Sequence, residues 1–326
     1  MGLVLLELLL RASQGWYFEA IDLYQVDEIL GIAMRPSISQ SIGIGDMRFS
    51  VSHNSSGLRG AEVREDDPEL RIFLIGDSYV YGIGTDNDGT ISYQLENMMK
   101  QTGIDAEVLN LGCGGYSTVQ AYYMLQKYKH LNPDVVLYLF CDNDPIDNIK
   151  FLTGVNKRRS PKTYRSWWRI ALRRHSMVWN VIQHKRFFFD RGGVKNIQDA
   201  TPGNFMADST IALRPELIDL TATYVDSISS LADSLQAQFF IGFVNVTFGD
   251  SSFMDFGPIC KVYNKLFVDK GYQTIKPPNS LLVYRNDLSK LLGNVPYLGH
   301  YNHIYYSCFA DEITSVLLRK YKFSNN

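Results

Sequence analysis

The sequence predicts an α/β domain of three layers, α/β/α, around a mostly parallel, doubly wound sheet. Three observations predict it. Apolar runs at 72–75, 106–110, 135–140 and 238–246 have the continuous hydrophobicity of strands buried on both faces. Helical patterns lie between the runs, and that alternation implies parallel strands joined by crossover helices. The first three runs each end in a glycine-dotted or polar turn, where an open α/β sheet presents its site.

The elements follow in chain order. Residues 1–70 form an N-terminal region and 71–326 the main domain. Met1 to Arg11 is an apolar stretch with one glutamate, Glu7. It is too short to span a bilayer and lacks the basic start and cleavage site of a signal peptide. Two readings stand: a short amphipathic helix packed on the domain, or the remnant of a membrane anchor. Residues 12–70, with Pro36 and the acidic run Glu65-Asp66-Asp67, read as irregular or β-rich and packed against the main sheet. Ile91, Leu95, Met98 and Met99 are spaced for one helix face. Ser117 caps a second helix carrying Val119, Tyr122, Tyr123 and Leu125, which ends before Pro133. A weaker fifth strand is read at Ser280-Leu281-Leu282-Val283-Tyr284, and a last helix at Asp311 to Lys320.

An insertion at about 156–204 breaks the alternation. Between 155 and 195 it carries twelve Lys or Arg and one acid, Asp190, interleaved with Trp167, Trp168, Trp179 and Phe187 to Phe189. It reads either as helices that bury aromatics and solvate their charges, or as a lid that meets an anionic or amphiphilic substrate or a membrane surface.

With 326 residues and 45% hydrophobic content the chain can bury one large core. A net charge of −2 gives no global attraction to nucleic acid. Cys113, Cys141, Cys260 and Cys308 have no metal-like spacing and read as small buried thiols.

The chemistry is concentrated at four segments. Ile75-Gly76-Asp77-Ser78-Tyr79 puts a serine where the first strand stops. Asn110-Leu111-Gly112-Cys113-Gly114-Gly115 follows the second run, and Cys141-Asp142-Asn143-Asp144 the third. Gly299-His300-Tyr301-Asn302-His303 lies near the C-terminus. A serine attacks only when a base takes its proton and N–H groups receive the oxyanion. A first turn without Gly-x-Gly-x-x-Gly argues against a nucleotide binder.

Together the segments resemble the SGNH hydrolases, the GDSL esterase/lipase superfamily. The family's Gly-Asp-Ser turn, glycine, Asn-Asp pair and late histidine match Gly76-Asp77-Ser78, Gly115, Asn143-Asp144 and His300 in order. The likeness begins at about Asn54-Ser55-Ser56-Gly57-Leu58-Arg59-Gly60 and runs to the C-terminal helix. It implies a flavodoxin-like strand order, no metal and no organic cofactor. It also implies a serine esterase or acyl transferase acting on O-acyl or O-acetyl esters of carbohydrate or lipid.

In that reading Ser78 is the nucleophile and its own N–H one oxyanion donor. The Gly115 N–H is the second, free of an obstructing side chain. The Asn143 amide is the third, and it cannot ionise. Asp77 and Asp144 brace the turns. His300 is the general base, and an imidazole's ordinary pKa of about 6.5 suits the task. Asn302 helps orient His300 or its turn.

One departure stands out. The family's aspartate, two or three residues before the histidine, is replaced here by Leu298 and Tyr297. Losing that carboxylate costs roughly 10⁴ in turnover in a serine protease. Three consequences are open: a Ser-His dyad, a substitute carboxylate such as Asp287 or Asp144, or an impaired protein that only binds acylated glycans or lipids.

Overall fold

The structure, a computed structural model, describes residues 2–14, 23–44, 47–154, 172, 176–179, 208–245, 247–248, 254–284, 290–292 and 300–324. Helix α1 (Gly2–Gln14) is followed by two antiparallel hairpins, β1 (Tyr24–Asp27) with β2 (Gly31–Met34), and β3 (Ile38–Ile44) with β4 (Met47–His53). The alternation then begins with β5 (Leu70–Gly76), α2 (Ser78–Tyr81), α3 (Ile91–Gln101) and β6 (Ala106–Asn110). It continues through α4 (Thr118–Tyr128), β7 (Val135–Phe140) and α5 (Asp144–Leu152). After the insertion come α6 (Ser209–Ala212), α7 (Pro215–Ser234) and β8 (Gln238–Phe243). A small ribbon of β9 (Thr247–Phe248) and β10 (Met254–Asp255) leads to α8 (Pro258–Asp269), β11 (Gln273–Ile275) and α9 (His303–Ser324).

Five strands make the central sheet in the order β11-β8-β7-β5-β6, every pair parallel. This is the flavodoxin-like order, with its switch point between β5 and β7. Successive strand residues serve opposite faces, as the pleat requires. Phe73, Ile75, Val136, Tyr138 and Phe140 join a core with Met124 of α4, Val225 and Ile228 of α7, and Tyr263 and Phe267 of α8. Ile72, Leu74, Leu137 and Leu139 join another with Leu95 and Met99 of α3 and Phe309 and Ile313 of α9. That is the three-layer arrangement, and each large side chain so buried contributes about 1.5–3 kcal/mol.

Within the central sheet, charge is confined to the N-terminal ends of β5 and β6, away from the site. Arg71 faces Glu107 in register, its Nε 2.6 Å from Oε2, and both are buried. The N-terminal region is tied to α4 by Gln120 Nε2 on the Leu30 carbonyl (2.9 Å) and Tyr128 Oη on that of Ser56 (2.7 Å).

Four expectations need correction. The fourth strand ends at Phe243, because Asn245 turns its side chain back onto Cys141 and Asp142. The fifth strand is Gln273–Ile275, and residues Asn279–Tyr284 form a 3₁₀ helix. Pro277-Pro278 offers no ladder N–H, and Leu281 is buried while Val283 is 78% exposed. The last helix starts at His303, not Asp311. Finally, α1 is helical but does not bury an apolar face, for Leu3, Val4, Leu5, Leu8 and Leu9 are all exposed. Its described anchor is polar: Glu7 accepts the N–H groups of Met177 and Val178 and the Ser176 hydroxyl. Most of the 156–204 insertion lies outside the described residues. Among those described, no helix is long and apolar enough to cross a membrane, and the four cysteines are free thiols.

Candidate active site

Register alone brings three of the four segments together. Gly76 at the end of β5 pairs with Leu139 of β7, and Leu74 with Asn110 of β6. The loops carrying Ser78, Gly115 and Asn143 therefore leave neighbouring strands at one edge of the sheet, with the serine in the middle.

The turn after β5 is sharp. Gly76 has φ +154, and a Cβ there would lie 2.7 Å from Val80 Cγ2 and 3.0 Å from the Leu139 carbonyl oxygen, so only glycine fits. Asp77 then caps α2: its Oδ1 accepts the Tyr79 N–H at 2.9 Å. The capping turn holds Ser78 half-buried at the head of a single helical turn.

His300 reaches this serine from the far end of the chain. Its Nε2 lies 2.7 Å from Ser78 Oγ. The ring rests on Tyr79, centroids 4.9 Å apart, and Tyr79 in turn meets Tyr301. Tyr301 is buried and stacked on Tyr305, centroids 3.7 Å apart, whose hydroxyl donates to the Val244 carbonyl. Asn302 serves the turn. Its Nδ2 donates to the carbonyls of Lys290 and Leu292, and its Oδ1 accepts the Ile304 and Tyr305 N–H groups at the start of α9.

Gly115 stands exposed, in left-handed backbone (φ +79), beyond Cys113, whose N–H is bound by the Gly76 carbonyl. Among the described residues the N–H groups of Ser78 and Gly115 have no hydrogen-bond partner. Asn143 precedes α5, and one of its amide hydrogens goes to Asp147 Oδ2 at 2.7 Å.

Two buried carboxyls lie beneath these turns. Burial pushes the Asp77 carboxyl up to about 7; the Tyr79 N–H opposes the rise and the Asp147 charge adds to it. Burial also holds Asp144 well above the usual carboxylate range, with the Asp77 charge adding to it. Asp144 Oδ2 accepts the Tyr138 hydroxyl (2.7 Å) and the Cys141 N–H (2.9 Å). No hydrogen bond joins it to His300, so Asp144 is not the carboxylate that orients the imidazole. Leu298, Tyr297 and Asp287 lie outside the described residues.

Sequence reasoning did not single out three contributors. Tyr79 packs on the histidine, and its position beside Ser78 was the available signal. Asn110 Nδ2 donates to the Val80 carbonyl at 2.7 Å and its Oδ1 accepts the Gly112 N–H at 3.1 Å. His53, in a segment without a motif, holds Tyr81 Oη at 2.9 Å through Nε2.

No family model matches the chain, and neither does any curated protein. It is similar to several solved structures. One is the psychrotrophic esterase EstA from Pseudoalteromonas sp., at 12% identity and a TM-score of 0.44, over 78% of this chain and 99% of that one. Another is a putative lipolytic protein of the G-D-S-L family from Desulfitobacterium hafniense, at 10% identity and a TM-score of 0.42, over 76% and 99%. A third is TesA, at 11% identity and a TM-score of 0.43, over 76% and 98%.

Proposed function

We propose that the chain is a serine esterase or acyl transferase for O-acyl or O-acetyl esters of carbohydrate or lipid. The observation that carries this is the 2.7 Å contact between Ser78 Oγ and His300 Nε2 at the strand edge where Gly115 and Asn143 also emerge. With Nε2 accepting, the imidazole carries its own proton on Nδ1. His300 takes the hydroxyl proton as Ser78 Oγ bonds to the ester carbonyl carbon. Charge on the carbonyl oxygen is received by the Ser78 and Gly115 N–H groups and the remaining Asn143 amide hydrogen. As the intermediate collapses, the ester C–O bond breaks and His300 returns the proton to the leaving alcohol. Water or an acceptor hydroxyl then attacks the acyl-serine by the reverse sequence.

A fluorophosphonate probe tests the reading. The protein should be labelled on Ser78, and neither Ser78→Ala nor His300→Ala should react at the wild-type rate. Unlabelled wild-type protein, or equal labelling of Ser78→Ala, overturns it.

A further inference from the structure

We infer that Arg59 is a positioning residue that fixes the distance between Ser78 and His300. The inference rests on the reading of Ser78 as nucleophile.

The segment Asn54 to Gly60 is a tight turn built to place one side chain. Asn54 Oδ1 accepts the N–H groups of Ser56 (3.0 Å) and Leu58 (2.9 Å), and its Nδ2 donates to the Ala61 carbonyl (2.8 Å). The Arg59 backbone then bridges His53 on one side and Asn110 on the other, stitching the β3–β4 hairpin to the β6 edge. The side chain runs inward and is 3% exposed.

Its guanidinium grips two places at once. Nη1 donates to the carbonyls of Tyr81 (2.7 Å) and Gly82 (2.6 Å), at the C-terminal end of the turn that Ser78 begins. Nη2 donates to the Thr85 carbonyl (2.5 Å) and Nε to Asn87 Oδ1 (2.9 Å). The group also lies 4.9 Å over the Tyr81 ring. A one-turn helix has little stability of its own and leaves its last carbonyls without helical partners. Here Arg59 takes those of Tyr81 and Gly82, and Asn110 takes that of Val80.

The second grip leads to the histidine. Between Thr85 and Thr90 the chain passes under α9, where a Cβ on Gly89 would lie 3.1 Å from both Thr85 Cβ and His303 Cβ. His303 starts α9, three residues after His300. One rigid fork thus spans the nucleophile turn and the segment that supports the base. All four hydrogen bonds go to carbonyl or amide oxygens rather than a carboxylate, a costly way to bury a cation if a loop tie were its whole purpose. A lysine cannot replace it, because a single ammonium lacks the fork that reaches both places.

The test uses the full chain, fluorophosphonate labelling of Ser78 and hydrolysis of a short-chain p-nitrophenyl ester. Arg59→Lys should fold, lose about 100-fold in labelling rate and kcat, and keep KM close to wild type, the scale expected for reacting groups displaced by about 1 Å. Guanidinium added at millimolar concentration should restore part of the rate of folded Arg59→Ala, because the free cation can re-form the same hydrogen bonds. If both variants fail to fold, Asn87→Ala, which removes the Nε acceptor, should lower kcat without raising KM. Folded Arg59→Lys labelled at the wild-type rate overturns the inference, as does folded Asn87→Ala with unchanged kcat. Unlabelled wild-type protein overturns instead the reading of Ser78, and so separates the two failures.

Discussion

Ser78 Oγ and His300 Nε2 stand 2.7 Å apart although 222 residues separate them. The serine is fixed from below by the Asp77 cap, and the histidine from the side by Tyr79 and the tie of Asn302 to residues 290–292. In the proposed mechanism the pair acts as one unit, so Ser78→Ala and His300→Ala should each lower kcat on p-nitrophenyl acetate by on the order of 10⁴-fold or more, and the double variant little further. Melting temperatures should stay near wild type. Additive losses would mean that the two side chains act in separate steps.

Asn143 offers a sharper probe of the proposed oxyanion site. Truncation to alanine removes the amide and leaves Asp147 still paired with Lys150 (2.6 Å), so the α5 turn keeps one of its ties. Asn143→Ala should lower kcat by about 10²–10³-fold with KM nearly unchanged. Steady-state kinetics on the same ester decide the matter. A rise in KM with kcat intact would place Asn143 in ground-state binding.

Stability should respond to acid through His53. Burial pushes this imidazole down to about 4; the Arg35 carbonyl opposes the shift and the Arg59 charge adds to it. A depressed imidazole favours the fold fully above the ordinary value of 6.5 and loses that advantage as pH falls through about 4. The amount is on the order of 3 kcal/mol. Asp77 has the opposite sign. Its carboxyl is raised, so its contribution is full below 3.8 and lost as pH rises through about 7. Urea unfolding of wild type against His53→Gln, from pH 7 to pH 4, should show the difference between the two proteins shrinking towards acid. Parallel curves would mean that folding leaves the His53 imidazole at its ordinary pKa.

Most of the sheet was legible because strands buried on both faces leave uninterrupted apolar runs, as in Val135–Phe140. β11 was not, since only Ile275 of its three residues is buried and so short an edge strand has no period to read. The 280–284 run misled for the complementary reason: its composition suits a strand, while Pro277-Pro278 break the chain just before it and the exposed Val283 lies in a 3₁₀ helix. Ser78, Gly115, Asn143 and His300 could be named as candidates because they match, in order, the motifs of a family that the sequence resembles. The tasks of Arg59 and Asn110 could not, because each acts on backbone carbonyls that only the fold brings within reach.

The turn that carries Ser78 supplies the last prediction. Gly76→Ala meets two obstacles, a φ of +154 and a Cβ placed 2.7 Å from Val80 Cγ2 and 3.0 Å from the Leu139 oxygen. Strained backbone of this kind costs about 1–3 kcal/mol before any clash is counted. The variant should therefore lose stability and, because Ser78 follows two residues later, most of its activity. Val80→Ala leaves a small cavity and costs roughly 1–3 kcal/mol by itself. In the double variant Gly76→Ala/Val80→Ala the side-chain overlap is gone, while the φ strain and the Leu139 contact remain. Its destabilisation should thus fall short of the sum of the single losses by about 1 kcal/mol or more, as expected for residues in contact. Urea midpoints of the four proteins measure that coupling. Strict additivity would mean that Val80 moves aside freely and that the glycine is required for its backbone conformation alone.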